Sequence, residues 1–233
     1  MDDRIENAFT NTENKIAEQS TSLDTVLTAL EGKAAGSGTD YFKQRLAGTM
    51  TEYSDNESEL IGEDAFSKQS QLTTVNMPKV KTIAPRAFYD CSKLTAISFP
   101  ALVSISYNTF RNCSSLTEFI SPATFDSRLD ASTFEGCSAL IKADFRHINS
   151  LGISGYSLAC TNLVTLIIRN TDFVPSVATT VFGAATTAMN KGEGYIYVPQ
   201  SMVDAYKAAT DWSKFAGQIR AIENYPDITG GAG

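Results

Sequence analysis

The apolar positions of the first 33 residues fall on two interleaved seams. Phe9, Ile16, Leu23 and Leu30 are spaced by seven, and Ile5 and Val26 lie on a second heptad seam. Thr12 and Gln19 complete that second seam and are polar. Two seams at heptad spacing predict a coiled-coil helix of about 45 Å over residues 1–33, with Ile5, Phe9, Ile16, Leu23, Val26 and Leu30 as its oligomerisation residues. The alternative is an amphipathic helix folded back on its own domain. Gly and Ser at 34–40 then predict a linker, and Thr-Gly-Gly-Ala-Gly at 229–233 a flexible tail.

A longer period organises the middle of the chain. Ile61-Gly-Glu-Asp-Ala-Phe66 recurs as Ile83-Ala-Pro-Arg-Ala-Phe88, Ile105-Ser-Tyr-Asn-Thr-Phe110, Leu129-Asp-Ala-Ser-Thr-Phe134 and Ile153-Ser-Gly-Tyr-Ser-Leu158. Leu72, Leu94, Leu116 and Leu140 follow the phenylalanines by six, and Leu163 takes that place one residue early. The period is 22, 22, 24 and then 23 or 24 residues. After each leucine the chain alternates, with apolar residues three and five positions on, as in Leu94-Thr-Ala-Ile-Ser-Phe-Pro100. Ser121 is the departure. Such units are too small to bury their own apolar faces. Stacked, they share one core, so a β-rich solenoid over residues 41–194 is expected, with the phenylalanines stacked inside it. Residues 41–60 would supply the entering strand. Residues 195–228 would close the far end, through a helix capped by Ser201 with Met202, Val203 and Tyr206 on one side, and through Trp212, Phe215, Ile219 and Ile222. Thr171–Gly194 reads as a long loop.

The repeat changes the meaning of the four cysteines. By count alone they could form two disulfides, a zinc site or four buried thiols. Cys91, Cys113, Cys137 and Cys160 each lie three residues before the repeat leucine, in a slot that Gln69 fills in the first copy. Side chains in one slot point the same way, which fits disulfide geometry poorly, so buried free thiols are expected.

Outward strand positions form the candidate ligand-binding columns. One is Thr74, Ala96, Glu118, Lys142 and Thr165. The second is Asn76, Ser98, Ile120, Asp144 and Ile167, with Ile120 and Ile167 read as exposed. A third line, Thr73, Thr95, Thr117, Ile141 and Val164, has inward parity and is left out. The acidic run Glu52, Asp55, Glu57, Glu59, Glu63 and Asp64 lacks calcium-loop spacing and reads as a solvated loop. His147, the single histidine, reads as structural. The face offers two carboxylates, Glu118 and Asp144, in different columns and coils, so no enzyme, catalytic residue, metal or cofactor is expected.

The 233-residue chain has a net charge of −7 and a pI of about 4.8. That balance argues against nucleic acid or an anionic membrane as the main partner. The start, MDDRIENAFTNTENK, lacks a basic region followed by an apolar run, so export by the usual signal is not expected.

The unit Ile-x-x-x-Ala-Phe-x-x-Cys-x-x-Leu-x-x-Ile-x-Phe-Pro resembles the BspA-like leucine-rich repeat family, most closely over residues 83–100. The run Tyr195-Ile-Tyr-Val-Pro199, with Tyr206, Trp212 and Phe215, is similar to that family's closing cap. The resemblance implies a right-handed parallel leucine-rich-repeat solenoid and a surface protein that adheres or binds ligands. A heptad helix, a Gly/Ser linker and such a repeat domain together resemble fibre or decoration proteins of tailed bacteriophages. That resemblance implies a virion protein, trimeric through residues 1–33, attached to capsid or tail proteins and binding a host-surface or environmental glycan or protein. A bacterial cell-surface adhesin is the alternative, and a glycan-active solenoid enzyme a second one.

Overall fold

The computed structural model describes residues 48–152 and 155–228. The heptad helix, the linker, residues 41–47 of the entering segment, Ile153 of the fifth copy and the tail lie outside the described residues. No helix among the described residues is long and apolar enough to cross a membrane.

Each coil contributes two short strands. The first set comprises β1 (Glu52–Ser54), β3 (Thr74–Asn76), β5 (Ala96–Ser98), β7 (Glu118–Ile120), β9 (Lys142–Phe145) and β11 (Thr165–Ile168). The second comprises β2 (Leu60–Ile61), β4 (Thr82–Ile83), β6 (Ser104–Ile105), β8 (Ser127–Leu129), β10 (Ile148–Leu151) and β12 (Ser176–Val177). All pairing is parallel and links like positions of successive coils, such as Val75 with Ile97 and Ile61 with Ile83. β13 (Tyr195–Val198) and β14 (Ile219–Ala221) extend the first ladder past the repeats.

A third side is formed by the turns that carry the phenylalanines. Their amides also bond to the next coil: Phe66 N–H to Ala87 O at 2.7 Å, Phe88 to Thr109 at 2.9 Å, Phe110 to Thr133 at 2.9 Å. Two residues before Phe66, Phe88, Phe110, Phe134 and Leu158 the backbone is left-handed, at Asp64, Arg86, Asn108, Ser132 and Tyr156, with φ between 54° and 59°. In the fifth copy it is Leu151, two residues ahead of the expected Ile153, that pairs with Leu129. Five different side chains accept this conformation although it costs about 1 kcal/mol or more outside glycine. The reason is that it turns each N–H onto the next coil, as in Asn108 to Ala131 O at 3.0 Å.

The core follows the repeat. Phe66, Phe88, Phe110 and Phe134 stack with centroids 5.1, 5.3 and 5.4 Å apart and planes within 9°. The cysteines are free and buried. Each Sγ donates to the carbonyl of a phenylalanine one coil back: Cys91 to Phe66 (3.0 Å), Cys113 to Phe88 (3.1 Å), Cys137 to Phe110 (3.0 Å) and Cys160 to Phe134 (3.1 Å). Burial pushes the Cys91 and Cys137 thiols up to about 12, and Cys113 and Cys160 well above their ordinary value.

Three expectations need correction. Thr171–Gly194 is not a plain loop, because β12 and the buried Val177, Val181 and Phe182 form a sixth coil there. Its phenylalanine packs edge-on to Phe215 at 5.1 Å, since Leu158 ends the ring stack below it. Ser201 does not cap the helix. It lies within a 3₁₀ turn, Gln200–Met202, that leads into α1 (Val203–Ala208), whose first turn has no side-chain cap. The acidic run is not simply solvated: Glu57 pairs with Lys79, Glu59 with Lys81, and Glu63 and Asp64 with Arg86. In three of these pairs the cation stands 22 residues on, in the same slot of the next coil.

The stack is interrupted once. Strand pairing lapses between the third and fourth coils, leaving β5 and β7 in different sheets, and likewise β6 and β8, although on the second side Asp126 N–H still bonds Val103 O at 3.0 Å. The turn side stays joined across the break through Phe110 N–H to Thr133 O and Asn112 N–H to Glu135 O. Here phenylalanine occupies the position three after the leucine, where the neighbours carry Ile97 and Ala143. Phe119 leans onto Phe134 (4.9 Å) and Phe145 (5.7 Å). Ser121 then fills the fifth position with little bulk, and its Oγ accepts the Arg146 N–H at 2.8 Å.

Candidate ligand-binding face

The outward columns assemble in two segments, divided where β5 and β7 fail to pair. Thr74 pairs with Ala96, and Glu118 with Lys142 and then Thr165. Asn76 pairs with Ser98, and Ile120 with Asp144 and then Ile167. β13 continues them with Tyr195 and Tyr197, and β14 with Arg220.

The two halves of this face differ. Over β3, β5 and β7 the side chains of Asn76, Ala96, Ser98, Glu118 and Ile120 are exposed, Ile120 to 50%. Over β9, β11 and β13 the chain's own C-terminal segment covers part of the face, chiefly the second column. Ile222 packs on Ile167 and Tyr197, with Ile228 against the same cluster. Tyr225 meets Tyr197 edge-on at 5.2 Å, and Lys142 Nζ donates to Ile228 O at 3.0 Å. Ile167, read as exposed, is therefore fully buried, because β14 turns the C-terminal segment back over the strands.

Asp144 is buried too, at 3% exposure. Arg169 grips it with both arms, Nε to Oδ1 at 2.9 Å and Nη2 to Oδ2 at 2.8 Å. The hydrogen bond to this carboxylate raises the Arg169 guanidinium against the opposing effect of burial. Both oxygens of this carboxylate are thus engaged by one guanidinium fork.

The line excluded on parity also faces outward. Thr95, Thr117, Ile141 and Val164 are exposed, Ile141 to 52%. At the strand entry two successive amides share one carbonyl, as with Thr95 and Ala96 on Thr73 O (2.9 and 3.1 Å) and Val164 and Thr165 on Ile141 O (3.1 and 3.0 Å). That sharing breaks strict alternation, so both residues point out. Thr73 and Thr95 use their hydroxyls to bond the previous coil's carbonyls at 2.9 and 3.1 Å.

His147 stands away from the strand columns. Its Nδ1 lies 3.0 Å from Asp126 Oδ1, its ring meets Phe173 edge-on, and Asn149 donates to the same oxygen at 2.8 Å. The hydrogen bonds from Asn149 and His147 hold the Asp126 carboxyl below its usual value. This is a surface clamp between coils.

At the parted ladder the face dips into a cleft of about 370 Å³, lined by Ile97, Ser98, Phe99, Pro100, Ile120, Ser121, Pro122, Ala123 and Arg146. The columns include Ser98 and Ile120. Arg146 and the prolines escaped sequence reasoning because they belong to three different coil exits. Arg169 and the covering segment gave no repeat signal.

A parallel stack of short coils, with a leucine, a phenylalanine and a cysteine in fixed slots, defines a leucine-rich-repeat solenoid. A family model described as a BspA type leucine rich repeat region matches residues 59–185 in six copies, and the chain belongs to that family. No curated protein matches it. Among solved structures it is similar to a leucine-rich cell surface protein of Faecalibacterium prausnitzii, with 20% identity, a TM-score of 0.45, and 64% of this chain and 39% of that one covered. It is also similar to the pneumococcal vaccine antigen PcpA, with 18% identity, a TM-score of 0.48, and 74% and 40% covered. A leucine-rich repeat protein of Bacteroides ovatus shares 16% identity at a TM-score of 0.36, with 66% and 56% covered. The chain thus spans about two fifths of the length of the first two.

Proposed function

We propose that this protein is a non-enzymatic adhesion module that binds a surface ligand on the open half of its strand face, over β3, β5 and β7. The observation that carries the reading is the asymmetry of the face. On its C-terminal half the chain's own segment covers the second column at Ile167 and Tyr197, while on the half bearing Thr74, Asn76, Ser98, Glu118 and Ile120 no such segment lies over the second column, and Asn76, Ser98 and Ile120 stay exposed. Membership of the BspA family supports it, because extended strand faces of solenoids suit binding. The non-enzymatic part rests on chemistry: of the two carboxylates on the columns, Asp144 is already engaged by Arg169.

The ligand is a glycan or protein of a host or environmental surface. Residues 1–33 self-associate as a trimer through the heptad seams and anchor the module to capsid or tail proteins of a virion. Family membership favours a second placement, on a bacterial cell surface. Binding of the full chain to a glycan array and to intact cells tests the adhesion reading. Thr74→Arg or Glu118→Lys removes binding, and Lys207→Glu, on the exposed side of α1, leaves it intact. Loss in none of the strand variants refutes it. Light scattering of the full chain against a version starting at Asp40 tests the anchor, which fails if both are monomers.

A further inference from the structure

The cleft at the parted ladder has features that a plain solvated sheet lacks. It is about 370 Å³, within the size range of small-ligand sites of roughly 300–1,000 Å³. It exists because β5 and β7 do not pair, while the coils stay joined on the turn side. Its floor is fixed: buried Ser121 bonds forward through its N–H to Asp144 O at 2.8 Å, and its Oγ accepts the Arg146 N–H at 2.8 Å.

Two chemistries meet there. Ile97, Ile120, Pro100 and Pro122 give broad aliphatic walls, and Ser98 adds an exposed hydroxyl at the rim. Arg146 adds an exposed guanidinium with no ion-pair partner among the described residues. In a chain of net charge −7 whose other cleft-lining side chains are uncharged, that fork sets the sign of the ligand. A planar guanidinium matches a carboxylate through two parallel hydrogen bonds. One cation without a second Lys or Arg in the lining balances a monoanion better than a phosphate dianion. The aliphatic walls suit the C–H face of a pyranose ring, and the serine suits its hydroxyls.

We infer that the cleft between the third and fourth coils is a subsite for an acidic sugar, a uronic-acid-type residue whose carboxylate pairs with Arg146 and whose ring lies against Ile120, Pro100 and Pro122. The inference rests on the adhesion reading above and names the ligand class of its site.

Titration of the full chain with methyl glucuronide, followed by NMR, tests it. The neutral methyl ester of the same sugar and a short peptide with a free C-terminal carboxylate serve as comparison probes. Shifts at Ser98, Ile120 and Ala123 are expected, with affinity at least tenfold weaker for the ester and for Arg146→Gln. Ile120→Ser should weaken binding with Arg146 intact. Equal binding of sugar and ester, no effect of Arg146→Gln, tighter binding of the peptide, or no binding of the uronide each overturns the inference. The two failures are separable. If array binding survives Arg146→Gln but is lost in Thr74→Arg, the acidic-sugar subsite falls and the strand-face reading stands. If array binding ignores every strand-face variant, the adhesion reading itself falls.

Discussion

Replacing Phe110 by alanine strikes the centre of the ring stack. Phe110 is fully buried and lies between Phe88 at 5.3 Å and Phe134 at 5.4 Å, with Phe119 at 6.1 Å. Removing a buried phenylalanine costs about 3–5 kcal/mol through lost transfer energy and the cavity left behind. Lost ring pairings add to the transfer part at about 0.5–1.5 kcal/mol each. We place Phe110→Ala near the upper end, about 4–5 kcal/mol, because the turn side at this coil carries much of what joins the stack where β5 and β7 part. Phe110→Leu should cost about 1–2 kcal/mol, since most of the volume remains and leucine already fills this slot at Leu158. Phe66→Ala should fall below Phe110→Ala, because Phe66 has one stacked ring, Phe88, and a tilted Tyr53. Urea unfolding supplies the test, followed by far-ultraviolet circular dichroism and by fluorescence of the single tryptophan, Trp212, buried in the cap. A cooperative stack shifts both signals together. Phe110→Ala costing under about 1 kcal/mol, or no more than Phe110→Leu, would refute the continuous ring core.

Other outcomes follow from the same geometry. A thiol reagent at neutral pH should leave all four cysteines unmodified in the folded protein and label them together in denaturant, since burial raises their pKa values and each donates to a carbonyl. Gly136→Ala should destabilise by about 1–2 kcal/mol in thermal melts, because φ is +77° and an added Cβ would clash with Asn112 Oδ1. Ile222→Ser should loosen the C-terminal segment, read as faster hydrogen exchange at Ile167 and Tyr197 with the first coils unchanged. Burial raises the Asp55 pKa, but hydrogen bonds from the Ser58 hydroxyl and the Glu57 and Ser58 amides outweigh it and leave the pKa below its usual value. The stability this group adds is therefore present above the unfolded pKa and lost as pH falls through the folded one. Asp55→Ala should narrow its gap from the parent protein in melts below about pH 4.

Much of this architecture was legible because a solenoid writes its contacts at a fixed sequence interval. Slots spaced by 22 to 24 residues placed the phenylalanine stack, the thiols and the pairs within the first strand ladder, but not the fifth copy's second strand, where Leu151 rather than Ile153 pairs with Leu129. What failed was what the period does not encode. The sixth coil hid because Val177 and Phe182 flank Val181 with no cysteine or leucine in the usual slots, Ala185 and Ala188 standing there instead. Ile167 has the outward parity of its column, and only the return of Ile222 and Ile228 over the strands buries it. The third column was excluded by strict alternation, which shared amide bonds at the entries of β3, β5 and β11 override. The cleft depends on Phe119 and Ser121 exchanging bulk within one coil, and the departure at Ser121 was its visible trace.

The adhesion reading meets its most direct test in methyl-resolved NMR of the full chain with the strongest ligand found on the glycan array. Ile120 stands in the open half and Ile167 under the C-terminal segment, so one spectrum reports both. The account predicts ligand-induced shifts at Ile120 and Ile97 with Ile167 and Ile228 unmoved. Shifts confined to Ile167 and Ile228, or to methyls of the 171–194 coil, would contradict it.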